Sequence, residues 1–426
     1  MEPVQRLGRV VAIDRKTTSC EMAILSQGRL VTMLCPTSLV NTIAEGDLVS
    51  CQFDSAGNPT NVSRLGAAPG GTFSGRGDAL RWQQRDGGAP SRMAFLDLRH
   101  TVLRTLRLEL DSMGFLEMET PTLARAPSPE AVFEPIPAGS GDYLITSPEF
   151  QLKRMLVGGF ERIYRLGPVF RGGEVGDAHN PEFTLLEWYR TLAGTEDLAG
   201  DLARFLRALA PVAEQAAERW SALPGLAKAV PRHLEQLAKA CRQPAIPQVT
   251  VREICRETLG LDVRGITEAG GLRSALRRAG LTEEAREDWD FTALFSALWL
   301  RVEARLPVAP LLVTEWPAPL ASLARLKPED PTVAERVELY AGGLELANGF
   351  AELTDPAEQR RRFLGDLEHR RLAGMPPVPL DEAFLAALQE GMPPAAGMAL
   401  GVDRLVMLLT GATRLRQVLP FAWDER

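Results

Sequence analysis

Apolar and polar positions change their period several times along the 426-residue chain. Between residues 6 and 65, short runs rich in β-branched and apolar residues (GRVVAID, CEMAIL, RLVTMLC, DLVSCQF, NVSRL) alternate with turn residues such as Ser26-Gln27-Gly28 and Ser55-Ala56-Gly57-Asn58. Five strands in about sixty residues predict a small closed barrel over residues 1–65, with an OB-like fold. The Gly/Pro/Ser density of residues 66–92 supports neither a continuous helix nor a central strand and reads as a flexible linker. From Met93 the period becomes helical: Phe95, Leu96, Leu98, Val102, Leu103, Leu106 and Leu110 recur on one face until Gly114. GFLEMETPTL then reads as a strand ending at Pro121. Val169-Phe170 and Glu182–Tyr189 read as the two strands of a hairpin, with a loop over Gly172–Asp177. Residues 197–240 and 250–306 return to helical spacing, a helical insertion over about 197–306 in a domain of residues 93–426. Trp289, Phe291, Phe295 and Trp299 read as core of that insertion. The predicted class is α+β, an antiparallel sheet flanked by helices plus the N-terminal barrel.

Composition narrows the partners. A hydrophobic content of 45% is ample for a core, and a net charge of −7 gives no general attraction to nucleic acid. The charge balance of the barrel alone matters too, because OB folds often bind single strands. Its basic residues (Arg6, Arg9, Arg15, Lys16, Arg29, Arg64) equal in number its acidic ones (Glu2, Asp14, Glu21, Glu45, Asp47, Asp54), and Phe53 is its one aromatic. Without a basic groove or stacking platform, a structural or protein-contact barrel is the stronger reading. Five cysteines without paired short spacings form neither a disulfide framework nor a zinc site, and His233, Cys241 and Cys255 lack metal-ligand spacing. No signal-like N-terminus or membrane-length apolar run is present, so a soluble cytoplasmic protein is expected.

Two stretches carry chemistry. The hairpin VFRGGEVGDAHNPEFTLLEWY presents Arg171 from a paired strand, a rigid root from which to meet an anion. In the second, Glu338 to Glu352, a tight turn centred on Gly342-Gly343 places Tyr340 opposite Glu345, with Glu338 on the same face by alternation. Two converging carboxylates need a cation, and Mg²⁺ suits them. Parity puts Glu352 on the opposite face unless a bulge at Gly349 intervenes.

These segments resemble a known family. FRGGEVGDAHNPEFTLLEWY is similar to motif 2 of class II aminoacyl-tRNA synthetases of the lysyl type, and TSPEFQLKRMLVGGFERIYRLGPVF extends the match. GMALGVDRLVMLLTG is similar to motif 3, the helix and strand after Met93 to motif 1, and VAERVELYAGGLELANGFAELTDPAEQRRRF to the lysine-pocket segment. The pattern over residues 93–426 is most similar to the tRNA-independent branch that lysylates elongation factor P. The resemblance implies activation of an amino-acid carboxylate by ATP, then transfer of the acyl group to an amine. It implies Arg171 between the carboxylate and the α-phosphate, and Arg404 on the γ-phosphate, as the catalytic pair. Gly172, Gly173, Glu174, Asn180, Glu345, Leu346 and Gly401 would contact ATP, with Glu338 and Glu345 as Mg²⁺ ligands. Ser147, Pro148, Glu149, Tyr189, Glu352 and Ala399 would form the amino-acid pocket, Glu352 on the side-chain amine. Motif 1 implies a homodimer.

Lysine and β-lysine both remain open as donors. Ala399 stands where lysyl-tRNA synthetases resemble GLGIGIDR, with glycine, and its methyl would favour β-lysine. Two departures stand out: Asp177-Ala178 where the family carries one or two arginines, and Gly173 where lysyl-tRNA synthetases place a glutamate. Losing a charge-assisted phosphate contact costs about 1.5–3 kcal/mol. A lysyl-tRNA synthetase and a silent regulatory paralogue are the alternatives, the first opposed by the short, neutral N-terminal block.

Overall fold

A computed structural model of the chain describes residues 4–26, 29–67, 81–82, 89–130, 133–139, 141–173, 175–223 and 226–425. Contacts divide it into two compact units, Met1–Asp97 with Leu223–Ala227, and Leu98–Ala222 with Lys228–Arg426. The stretch expected as a linker, 66–92, lies for the most part outside the described residues.

In the first unit, β1 (Val4–Arg15), β2 (Ser19–Ser26), β3 (Arg29–Pro36), β4 (Leu48–Phe53) and β5 (Pro59–Gly66) form one antiparallel sheet in the order β3-β2-β1-β4-β5. The long β1 pairs with both β2 and β4, with a bulge between Val10 and Ala12 that bends it from one partner to the other. β3 comes round to touch β5, which is consistent with the small OB-like barrel expected from the sequence. Alternation decides which side chains point inward: Cys20, Met22 and Ile24 on β2 meet Val49, Cys51 and Phe53 on β4 in the core. Burial pushes the Cys35 and Cys51 thiols up to about 11, so they behave as small apolar residues.

The second unit is built on a nine-stranded sheet. Its strands are β6 (Leu116–Glu117), β10 (Arg162–Phe170), β11 (Glu182–Thr191), β12 (Gln248–Thr250), β13 (Leu311–Pro317), β14 (Leu326–Lys327), β15 (Asp330–Ala341), β16 (Leu344–Ala351) and β17 (Ala395–Gly401). They run in the order β12-β13-β15-β16-β17-β11-β10-β6, with β14 on β15. All pairs are antiparallel except the edge pairs β6/β10 and β12/β13. A small sheet of β7 (Leu123–Ala124), β8 (Pro137–Gly139) and β9 (Asp142–Leu144) lies apart from it. The strand expected from Gly114 to Pro121 shrinks to the two residues of β6, because only Leu116 and Glu117 pair with β10.

Helix α1 (Arg92–Ser112) buries Leu98, Val102, Leu106 and Leu110 and ends at Gly114, whose φ of +77° suits glycine. Helices α3 (Thr195–Ser221), α4 (Ala229–Cys241), α5 (Val251–Leu259), α6 (Ala269–Arg278) and α7 (Phe291–Glu303) fill the region read as a helical insertion. That region also contributes β12 to the main sheet, and α3 packs against β15, β16 and β17. Its aromatics form a stacked run, Phe291 on Phe295 and Phe295 on Trp299, that continues to Trp316 of β13. The other helices are α2 (Glu149–Val157), α8 (Pro356–Leu372), α9 (Glu382–Gly391) and α10 (Val402–Thr410). No described helix is long and apolar enough to cross a membrane.

Candidate active site

Three neighbouring strands lay out a floor. Register sets Glu187 of β11 opposite Ala399 of β17, and Ala399 opposite Asn348 of β16. The next row joins Tyr189, Gly397 and Phe350. β15 extends both rows, with Glu338 opposite Asn348 and Arg336 opposite Phe350. Over this floor lies a cavity of about 1040 Å³, lined among others by Arg171, His179, Asn180, Arg404, Glu345, Glu149, Glu187 and Tyr189. Gly397 must lack a side chain, since a Cβ would fall 2.2 Å from the Tyr189 ring and 2.7 Å from Glu352 Oε1.

The anion-facing wall comes from two hairpins and a helix start. β10 and β11 pair from Arg162↔Arg190 to Phe170↔Glu182, the hairpin expected from the sequence, and Arg171 follows directly on β10. Its guanidinium is sandwiched by Phe133 and Phe183, with centroids 4.1 and 5.1 Å away. That arrangement fixes the guanidinium plane while leaving the cation on the cavity wall. Arg404, in the first turn of α10, donates to the carbonyls of Ala178 (3.3 Å) and Glu345 (3.0 Å), and its Nη2 lies 2.6 Å from His179 Nε2. It thereby clasps both hairpins at the cavity mouth. Asp403 beside it is structural: it pairs with Arg99 at 2.5 Å and accepts from the Thr184 backbone N–H.

The second hairpin turns on Gly342 and Gly343, with φ of +63° and +75°, as a two-residue turn in which Tyr340 faces Glu345. A bulge at Gly349, the condition under which Glu352 would change face, is absent. Instead the register shifts between Leu339 and Tyr340, where Leu339 pairs with Ala347 and Leu346 is the extra residue. This brings Glu345, Asn348 and Phe350 onto one face, and continued alternation carries Glu352 to the same side. Glu338 is buried with Oε1 accepting from Arg336 (2.5 Å) and Oε2 from the Tyr340 hydroxyl (2.6 Å). Its carboxyl is nevertheless pushed up to about 7, by burial opposed by Arg336 and reinforced by Glu345. Glu303 of α7, on the same wall, is also raised, by burial and then by Glu345. An oxygen-only set with more anion than one arginine offsets, beside the two cavity arginines, fits Mg²⁺ carried in on phosphates: Glu345 reaches the cavity and Glu338 stands behind it.

A second group of lining residues is acidic. Glu187 Oε1 accepts from Ser147 (2.6 Å) and Oε2 from the Tyr189 hydroxyl (3.1 Å), and burial lifts its carboxyl to about 7. Glu149 opens α2 after Pro148, its backbone N–H bonded to Ser147 Oγ at 3.0 Å. Glu352 does not line the cavity; it is fully buried behind Gly397, facing Lys153. Ser147 reaches the site only through Glu187. Gly172 and Gly173 lie against Glu134 rather than on the cavity wall, and Glu174 lies outside the described residues. Leu346, Ala399 and Gly401 line the cavity. The Asn180 amide is engaged with the Glu182 carbonyl (2.5 Å) and the Trp423 N–H (3.2 Å). Asp177 and Ala178 are tied in as well, Asp177 to Arg414 at 3.5 Å and Ala178 through its carbonyl to Arg404.

Sequence reading missed Glu187, Phe133, Glu303 and Lys153. Glu187 alone had a usable signal, a carboxylate two residues before Tyr189 and so on the same strand face. The aromatics Phe295 and Trp299, read as core, also line the cavity, and Trp299 Nε1 donates to the Tyr340 hydroxyl at 2.8 Å.

An antiparallel sheet with one arginine after a hairpin strand, another opening the last helix and a Gly-Gly hairpin of acids between them defines a class II synthetase site, and residues 80–425 match the family model of the tRNA synthetases class II (D, K and N). The chain belongs to that family. It is 37% identical over 359 residues to the elongation factor P–(R)-β-lysine ligase of Edwardsiella ictaluri, covering 82% of this chain and 99% of that protein. The ligase of the same name from Vibrio cholerae is 34% identical over 341 residues, 78% of this chain and 95% of its own. The lysine–tRNA ligase of Pelotomaculum thermopropionicum is 34% identical over 330 residues, 76% of this chain but 62% of its own.

Proposed function

We propose that this enzyme activates lysine or (R)-β-lysine with ATP and transfers the acyl group to a lysine side chain of elongation factor P. The observation that carries this reading is one cavity lined both by the two motif arginines, Arg171 and Arg404, and by the acids Glu149 and Glu187. In the first step a carboxylate oxygen of the amino acid attacks the α-phosphorus, the bond to the bridging oxygen breaks, and pyrophosphate leaves. Both reactants are anions, so catalysis rests on position and compensating charge. Arg171, held flat between its two rings, spans the carboxylate and the α-phosphate. Arg404 exchanges part of its clasp on Ala178 and His179 for the terminal phosphate, and Glu345, with the buried Glu338 beside it, would hold Mg²⁺, which would supply positive charge to the phosphates. In the second step the acceptor amine attacks the acyl carbon, AMP leaves with the electron pair of the broken bond between the acyl carbon and the bridging oxygen of the mixed anhydride, and the amine loses a proton.

Glu149 and Glu187 receive the ammonium groups of the donor, with Tyr189 and Ala399 shaping the floor. The exposed leucines of motif 1, Leu108 on α1 and Leu116 on β6, support a homodimer. A cytoplasmic location and indifference to tRNA complete the reading. Incubation with radiolabelled lysine or (R)-β-lysine, ATP and either elongation factor P or total tRNA tests it. Label is expected on elongation factor P; label on tRNA alone would make the chain a lysyl-tRNA synthetase.

A further inference from the structure

The departure at Asp177-Ala178 has a definite geometry. Gly176 and His179 exchange backbone hydrogen bonds (3.0 and 3.4 Å), so Asp177 and Ala178 are the central residues of a tight turn at the tip of the first hairpin. Asp177 to Asn180 are each held from outside that tip. Arg404 takes the inner two, donating to the Ala178 carbonyl and lying against His179 Nε2. Residues 414–423 take the outer two. The Leu415 N–H donates to the Asp177 carbonyl (2.7 Å), the Arg414 guanidinium lies 3.5 Å from the Asp177 carboxylate, and the Trp423 N–H donates to Asn180 Oδ1 (3.2 Å). The receiving segment is itself braced: Gln417 Oε1 accepts the backbone N–H groups of Thr413 and Arg414 (2.9 Å each), and Arg416 reaches Asp424 and Glu425 (3.5 and 3.3 Å). Leu415 is buried and lines the same cavity as Ala178, His179 and Asn180.

We infer that the segment 414–423 is a clamp on the hairpin tip, and that Asp177 is a positioning residue for ATP rather than the mere loss of a phosphate contact. This deepens the functional reading above and rests on it. In that reading Arg404 gives up part of its hold on Ala178 and His179 when the terminal phosphate arrives. The fastenings at Asp177 and Asn180, on either side, then keep the tip in place against the cavity. A tip without them would have to be ordered as ATP binds, and that ordering is subtracted from affinity. Asp177 and Arg414 form a matched pair, since an arginine at 177 would meet Arg414 with like charge. Ala178 and His179 line the cavity, whereas Asp177 and Arg414 stand outside the lining, so the pair acts on the nucleotide only through the tip. Their side chains are 76% and 57% exposed, which limits the leverage to that of a surface ion pair.

ATP–pyrophosphate exchange and thermal unfolding of the full chain test this. Asp177→Ala and Arg414→Ala should each raise the Michaelis constant for ATP about two- to fivefold, with that for lysine and the melting temperature unmoved. Asp177→Arg, which puts a cation on the tip, should raise it at least as far. Asp177→Arg combined with Arg414→Asp inverts the pair and should bring the constant back to within about twofold of the unmodified chain. A merely structural role predicts instead that both Michaelis constants and the melting temperature move together, with no recovery in the inverted pair. That outcome, or an ATP constant unmoved in every variant, would overturn the assignment. So would a lowered ATP constant. In Asp177→Ala it would mean that Asp177 holds Arg414 away from the phosphates, and in Asp177→Arg that the tip lacks a cation. If the unmodified chain exchanges pyrophosphate with no diamino acid, the functional reading falls. Affinities of the same variants for ATP with Mg²⁺, by calorimetry, then judge the clamp by the same pattern, and no binding at all overturns both.

Discussion

Ala399 shows how much one methyl group can decide. It sits on the cavity floor between Glu187 and Asn348, packed against the cluster of Ile145, Val169 and Leu185. Moving an amino group from the α to the β carbon changes where the donor needs room, and the floor beside Glu187 is where that room is set. Ala399→Gly should raise the specificity constant for lysine relative to (R)-β-lysine. One methylene-sized difference bounds the change at about 10–200-fold. Exchange rates with both isomers, together with thermal unfolding, check this: an unchanged ratio with lower stability would reduce Ala399 to packing. Arg171, Arg404, Glu149 and Tyr189 were legible as site residues because motifs mark them. Phe133, Glu303 and Lys153 were not, because nothing local separates a cavity-facing aromatic or a buried ion pair from ordinary helix and loop chemistry.

Among the elements, the hairpin of β15 and β16 carries the acids, and its turn admits little else. Gly342 has positive φ, and a Cβ there would fall 2.6 Å from Leu408 Cδ1 on α10. Gly342→Ala should therefore cost about 1–3 kcal/mol from the backbone alone. It should also raise the Michaelis constant for ATP, because α10 carries Arg404 and the turn leads into Glu345. Chemical unfolding and exchange kinetics measure the two effects, and a variant with unchanged stability would contradict the strain argument. The Gly-Gly turn and the pairing of Tyr340 with Glu345 could be read from sequence, since turn chemistry is local. The bulge could not: its place at Leu346 rather than Gly349 is decided by how β16 pairs with both β15 and β17, a non-local outcome. The same limit explains why 197–306 read as purely helical, for three residues pairing with β13 leave no periodic trace.

For the molecule as a whole, stability should carry the signature of its buried acids. Burial raises Glu187, Glu338 and Asp366 to about 7 and Glu352 to about 8. Each then binds a proton in the native state at pH values where the unfolded chain has lost it. Their contribution is fully present below the ordinary carboxylate range and is lost as pH rises through about 7 to 8. Asp262 and Glu358, both near 2, act oppositely and only in acid, where their ion pairs with Arg252, Arg361 and Arg362 are lost. The melting temperature should fall between about pH 5 and 8, and bound lysine should flatten that slope by pairing with the ionised acids. A melting temperature that rises over this range would refute the accounting.

Adenylate formation is the chemistry on which the account depends, and exchange of labelled pyrophosphate into ATP reads it without any acceptor. The unmodified chain should exchange only when lysine or (R)-β-lysine is present, and Arg404→Ala should lose about 2.7–4 kcal/mol of transition-state stabilisation. Exchange that ignores the amino acid, or full activity in Arg404→Ala, would contradict the central claim.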